Sequence, residues 1–354
     1  MIYHLATYAV AFYPFLNVVH YISFRALAAL LTSLMLSLIC GERFIIFSKQ
    51  FFRSKVRPHT PATHASKNDM PTMGGLFMIG VVLITVFLWG NWSSPLTGLS
   101  LFCLIGFSVI GFFDDYFKIL HKKGISAQLK FIAQVGVATS VAGLWIWSMQ
   151  PSTELVFPFF KSLHPALGLL FIPWVIFVLI GTSNAVNLTD GLDGLAIGSL
   201  ISNFGTFALI AYSAGHIKIA HYLCIPYAGS AELTVVAGAL VGTSLGFLWF
   251  NTYPAQIFMG DVGSLGLGAV LAFIALASKQ ELLLALAGGL FVVETLSVIG
   301  QVLSYRFLGR RLFKMAPIHH HFELQGWPES KITMRFCIIS FILCLCALMT
   351  LKLR

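Results

Sequence analysis

Charge is what this sequence has least of. Only 10% of its 354 residues are Asp, Glu, Lys or Arg, against 58% hydrophobic, and the mean hydropathy is +0.87. Soluble globular domains carry about a quarter charged residues, so that class is excluded. Cysteine is thin too: Cys40, Cys103, Cys224, Cys337, Cys344 and Cys346 form no CxxC, and five of them sit in apolar blocks. Neither a disulfide framework nor a zinc site is therefore expected. The N-terminus lacks a basic segment followed by a short apolar core and a small-residue cleavage site, so no cleavable signal peptide is expected. Low-complexity segments and clear repeats are missing as well.

What is present is apolar sequence in separated blocks. A helix rising about 1.5 Å per residue crosses the hydrocarbon in about 20 residues. Ten spans are expected, near 22–41, 72–90, 97–113, 131–149, 167–186, 194–213, 233–250, 262–277, 281–304 and 333–351. This predicts an all-α, polytopic integral membrane protein with about ten transmembrane helices, as a single domain over 1–354. The span at 281–304 contains Gly288-Gly289, Glu294 and Gln301, and is expected to be tilted or broken into two pieces.

Basic residues orient the chain. Arg43, Lys49, Arg53, Lys55, Arg57 and Lys67 lie between spans one and two, and Lys118, Lys122, Lys123 and Lys130 between three and four. Arg306, Arg310, Arg311, Lys314 and Lys331 lie between nine and ten. Outside the spans, the other loops and the tails hold Lys161, Lys218, Lys279, Lys352 and Arg354. The positive-inside rule puts the rich loops in the cytoplasm and both termini in the periplasm.

The carboxylates follow the same side. Of thirteen acidic residues, Glu42, Asp69, Asp114, Asp115, Asp190, Asp193, Asp261, Glu323 and Glu329 fall on expected cytoplasmic loops. Two short loops, NLTDGLD at 187–193 and NTYPAQIFMGD at 251–261, contain no Lys or Arg. Asn187, Asp190 and Asp193 fit on one turn, while Asn251 and Asp261 bracket the next loop. With Asp114 and Asp115, five carboxylates would share one membrane face, and such a group repels itself unless a cation neutralises it. Oxygen ligands suit a hard ion, and Mg²⁺ in particular takes one or two carboxylates plus water and phosphate. Helix N-capping is the simpler role open to Asp193 or Asp261.

A net charge of +9 and these basic loops attract anionic headgroups or nucleotides. Lys67, Lys118 and Lys130 adjoin spans that carry acidic groups. Lys118 follows Asp114 by four residues, so a continuing helix puts both on one face, as an ion pair or a phosphate clamp. In MAPIHHHFELQGWPESK at 315–331, three adjacent histidines cannot all face one metal in a regular helix. Hydrogen bonding to phosphate or acid–base work near neutral pH suits His319, His320 and His321 better. A solvated polar loop is the plain alternative. GSLGLG at 263–268 follows no soluble strand, and reads as close helix packing.

DDYFK at 114–118, NAVNLTDGLDGLA at 184–196, FMGDVGSLGLG at 258–268 and APIHHHFE at 316–323 together resemble the phospho-N-acetylmuramoyl-pentapeptide-transferases. PTMGG at 71–75 and the ten-span layout extend the resemblance over essentially the whole chain. The DD, NxxD and GD elements are shared by the wider polyprenyl-phosphate N-acetylhexosamine-1-phosphate transferase superfamily, and HHHFE with PTMGG narrows it to the muramoyl branch. The resemblance implies transfer of phospho-MurNAc-pentapeptide from UDP-MurNAc-pentapeptide to undecaprenyl phosphate, giving lipid I and UMP and requiring Mg²⁺. It matches Asp114, Asp115 and Asp261 to the catalytic aspartates, and Asn187 and Asp261 to the magnesium ligands. Lys67, Asp193, Asn251 and Phe258 match residues around the uridine, with Phe258 stacking on the uracil. Lys130, Asp190 and His319, His320 and His321 match further active-site positions. Glu294 and the Gly288-Gly289 break would shape a groove for the lipid tail, unless Glu294 only hydrogen-bonds between helices. The implied setting is a bacterial inner membrane, with membrane lipid as a partner, no nucleic acid, and a homodimer as a compatible assembly.

Other classes fit less well. A cation-coupled transporter needs ionisable groups near the midplane, where only Glu294 qualifies. An intramembrane aspartyl protease needs two aspartates within spans. A sister transferase using UDP-GlcNAc is the nearest rival, and the histidine stretch discriminates it.

Overall fold

The structure is a computed structural model that describes residues 1–52, 70–121, 123–158, 160 and 163–352. Fourteen α-helices are found among these: α1 (Ile2–Ala9), α2 (Ile22–Phe51), α3 (Gly74–Trp89), α4 (Pro95–His121), α5 (Ala127–Met149), α6 (Phe171–Thr189), α7 (Leu195–Ala214), α8 (Ile217–Leu223), α9 (Leu233–Asn251), α10 (Gly260–Ala277), α11 (Glu281–Ala287), α12 (Gly289–Leu308), α13 (Ile318–Glu323) and α14 (Glu329–Thr350). The described residues contain no strand, only an isolated bridge between Glu154 and Ala166.

Nine of these helices are long and apolar enough to cross a membrane. The second expected span, α3, is apolar but only 16 residues long. The ninth is broken: α11 ends at Ala287, and Gly288 separates it from α12. A helix in hydrocarbon has to satisfy its own backbone, and here glycine sits at the interruption, where other helices cover it.

The core is organised around α10. Every residue from Val262 to Ala277 is buried, and the helix packs against α3, α4, α6 and α7. Small residues permit this. A Cβ added at Gly75 would strike the backbone of Gly263, and one at Gly111 would strike the carbonyl of Asp261. Gly266 and Gly268 lie equally close to α4 and α6, so the 263–268 stretch is the packing element expected from sequence.

A second seam joins α2 to α9. The buried residues of α2 include Ala29, Ser33, Ser37 and Gly41, spaced by four. They face Gly238, Gly242 and Gly246 of α9, which lie against Ala26, Leu30 and Ser37. Without a hydrophobic drive between helices in lipid, such close backbone approach is what holds them. One end of this seam is closed by a buried ion pair: Arg25, 1% exposed, makes bidentate contacts of 2.8 and 2.7 Å to Glu232. The other end brings the C-termini of α4, α6 and α9 to the N-terminus of α10.

Candidate active site

The two aspartates in DDYFK do not end their helix. α4 continues to His121, so Asp114, Asp115 and Lys118 share its inner face. Lys118 Nζ lies 2.8 Å from Asp114 Oδ2 and 3.4 Å from Asp115 Oδ1. It also reaches Asp261 Oδ2 at 3.0 Å, on the first turn of α10. Lys130, on the first turn of α5, bridges the same two helices, 2.5 Å from Asp261 Oδ2 and 3.1 Å from Asp114 Oδ2. Three carboxylates from two helices therefore share two ammonium groups. Asp114 and Asp115 are 4% and 6% exposed. Their second oxygens accept backbone N–H groups: Asp114 Oδ1 from Ile125 at 2.9 Å, Asp115 Oδ2 from Val262 at 3.3 Å.

α10 begins where the chain is pinned. Gly74 and Gly75 of PTMGG donate N–H bonds of 2.9 Å to the carbonyls of Phe258 and Met259. Gly260 then turns at φ +74°, open to glycine at low cost, and launches the helix. Neither Asp193 nor Asp261 is an N-cap: those positions are Gly194 in α7 and Met259 in α10. The capping reading fails for both.

Asn187 stands on the last turn of α6, and its Nδ2 donates to Ser264 Oγ at 2.8 Å. Ser264 in turn donates to the carbonyl of Gly260 at 3.0 Å. This serine was not singled out from sequence. Its signal was its place three residues after Asp261, on the same helix face. Asp190 follows as the C-cap of α6. Burial, then the charges of Asp261, Asp115 and Asp193, push its carboxyl up to about 8.

Asp193 and Asn251 are bound to backbone. Asp193 Oδ2 accepts the N–H of Ala255 at 3.0 Å. Asn251 Oδ1 accepts from Gly194 at 3.1 Å, and its Nδ2 donates to Ile257 at 2.8 Å. These two side chains fasten the 190–194 turn to the 251–259 loop. Glu329 adds a bond to the N–H of Asp193 at 2.8 Å. Phe258 is half-buried on that loop, beside PTMGG. Lys67 lies outside the described residues.

The histidines separate. His319 is fully buried, with Nδ1 3.1 Å from Glu294 Oε2. His320 Nδ1 lies 2.5 Å from Glu323 Oε2. His321 Nδ1 accepts the N–H of Lys314 at 3.1 Å, and its ring meets Phe313 edge-on. Glu294 is also 0% exposed. It therefore lies close to another helix and is closed off from any open groove.

Glycosyl transferase family 4 matches residues 97–279, the stretch that carries Lys118, Lys130 and all five of these aspartates. The phospho-N-acetylmuramoyl-pentapeptide-transferase of Solidesulfovibrio magneticus (strain ATCC 700980 / DSM 13731 / RS-1) is 50% identical over 358 residues, covering 100% of both chains. That of Geobacter sp. (strain M21) is 48% identical over 359 residues, again covering 100% of both. This chain belongs to the phospho-N-acetylmuramoyl-pentapeptide-transferase family. It is a phosphoglycosyl transferase of peptidoglycan synthesis, built as a multi-pass helical membrane protein.

The donor types at Asp261 and Asn187 are those that a hard divalent ion would take. Among the described residues no three His, Cys, Asp or Glu side chains form a metal cage. Both lysines contact Asp261 through Oδ2, and Asn187 is bound through its amide nitrogen. One carboxylate and one amide oxygen suit Mg²⁺, which completes its shell with water and phosphate.

Proposed function

We propose that the enzyme moves phospho-MurNAc-pentapeptide from UDP-MurNAc-pentapeptide to undecaprenyl phosphate, at the cytoplasmic face of a bacterial inner membrane, yielding lipid I and UMP. The observation that carries this is the cluster in which Lys118 and Lys130 tie Asp114 and Asp261 together across two helices. Phosphoryl transfer asks a protein mainly for positioning and for neutralisation of charge on the migrating group. A lipid-tailed acceptor and a water-soluble nucleotide can meet only at the interface, where the convergent polar ends of four helices would lie.

In this reading an oxygen of the lipid phosphate attacks the phosphorus attached to the sugar, and the bond from that phosphorus to UMP breaks. A phosphate monoester has its second pKa near 6 and is already largely dianionic at neutral pH. Asp114 therefore need not be a strong base. Asp114 or Asp115 orients the lipid phosphate and takes any proton it still carries. The ammonium groups of Lys118 and Lys130 stand where negative charge accumulates. Asn187 and Asp261 would hold Mg²⁺, which when bound draws charge from the diphosphate and eases departure of UMP. Phe258 supplies a ring on the loop fastened by Asp193 and Asn251, and the family resemblance gives Lys67 a role at the uridine.

The test is UMP release by purified protein given undecaprenyl phosphate, Mg²⁺ and either UDP-MurNAc-pentapeptide or UDP-GlcNAc. Turnover with the first donor alone is expected, abolished by chelation and restored by Mg²⁺. Turnover with the second alone would move the enzyme to the sister branch. A phospho-enzyme trapped with donor but without lipid would replace direct attack with an aspartyl-phosphate route.

A further inference from the structure

We propose that Glu294 is a positioning residue for the transfer reaction, acting through His319 on the turn that carries Asp190. The inference rests on the reaction proposed above. Ionisable groups buried in a membrane helix are costly and mark functional places by default. Glu294 sits on α12, six residues beyond the break at Gly288, and is wholly buried, as is His319. Its Oε2 lies 3.1 Å from His319 Nδ1.

The opposite edge of the same ring determines what the contact does. His319 Nε2 is the nearest atom to the position a Cβ would take on Gly191, and such a Cβ would overlap it. The imidazole thus spans from α12 to the residue next to Asp190. That turn closes on itself, with Gly191 N–H donating to Thr189 at 2.8 Å and Asp190 N–H donating to Val186 and Asn187. The ring presses on its outer face. His319 meets a carboxylate from another helix, whereas the Glu323 that meets His320 lies within α13 itself. Asp190 stands close enough to Asp261 and Asp115 for their charges to act on it. A displaced ring would therefore shift one member of the catalytic carboxylate array without touching substrate.

The experiment compares kcat, KM for UDP-MurNAc-pentapeptide and the melting midpoint in detergent across three variants. Glu294→Gln preserves shape and removes the charge. Gly191→Ala keeps the pair and drives the ring from the turn. The exchange Glu294→His with His319→Glu re-forms the pair but puts a carboxylate against Asp190. The first two are expected to lower kcat about ten- to a hundredfold, as outer-shell changes at such sites do, with KM within about twofold. The exchange is expected to recover the melting midpoint but not kcat. Wild-type kcat in Glu294→Gln overturns the proposal, and so does an exchange that restores kcat together with stability. If the Glu294 variants do not fold, Gly191→Ala decides: unchanged kcat overturns, and lowered kcat at intact KM supports. A wild-type protein that releases no UMP would instead remove the transfer reading itself.

Discussion

Lys130 and Asp261 are 131 positions apart and 2.5 Å apart in space. At that distance, with an effective dielectric of about 20, two unit charges attract by about 7 kcal/mol before desolvation is counted. Desolvation offsets most of this gain, so the pair is worth little as glue, yet removing one partner strands the other at a cost of about 3–5 kcal/mol. Lys130→Ala should therefore destabilise strongly, and Lys130→Ala with Asp261→Ala should destabilise less than the sum; a double-mutant cycle on thermal melting measures the difference. Asp261→Asn, which keeps the shape, should slow UMP release at least about a hundredfold, in line with loss of one preorganised electrostatic group. The sequence disclosed Asp114 with Lys118, because a four-residue spacing is a statement about one helix face. It disclosed neither the Lys130–Asp261 contact nor the Ser264 bond to Asn187, because both cross between helices.

For the elements, the legible part was the apolar blocks and their glycines. The break at Gly288 and the continuation of α4 past Asp115 were open from composition alone, and each was decided by what packs there. Gly75→Ala should cost about 1–3 kcal/mol, since backbone meets backbone and cannot yield as a side chain would. Gly136→Ala in α5 meets nothing within 4 Å, and should be neutral or stabilise by about 0.5–1 kcal/mol. Melting midpoints of the two variants in one detergent make the comparison. A Gly75 variant as stable as the Gly136 variant would mean that α3 and α10 do not approach so closely.

The molecule as a whole sets one polar end against another. The carboxylate–lysine cluster lies where α4, α6 and α9 end, and the Arg25–Glu232 pair lies where α2 and α9 begin. The orientation proposed above, from the distribution of Lys and Arg, would put the first end in the cytoplasm. In a chain without native cysteines, Arg311→Cys should be labelled by an impermeant thiol reagent only from the cytoplasmic side, and Tyr227→Cys only from the periplasmic side. The reverse pattern would invert the protein. α3 is the one expected span that falls short by length, at 16 residues. At about 1.5 Å per residue it rises roughly 24 Å, less than the hydrocarbon thickness of about 30 Å. Its start is fixed by hydrogen bonds to Phe258 and Met259, so PTMGG supports the 251–259 loop as well as opening a helix.

Hydropathy and charge are properties of the chain itself, and so the sequence alone determined the helical membrane class, the positions of the spans and the residue types at the polar end. Which oxygen meets which ammonium depends on helices that touch far along the chain. Only the tertiary structure could show that His319 turns inward to Glu294 while His321 turns away, or that Asp193 and Asn251 hydrogen-bond to backbone across two loops. A buried polar group must find its partner wherever packing puts one, and no local spacing encodes that choice.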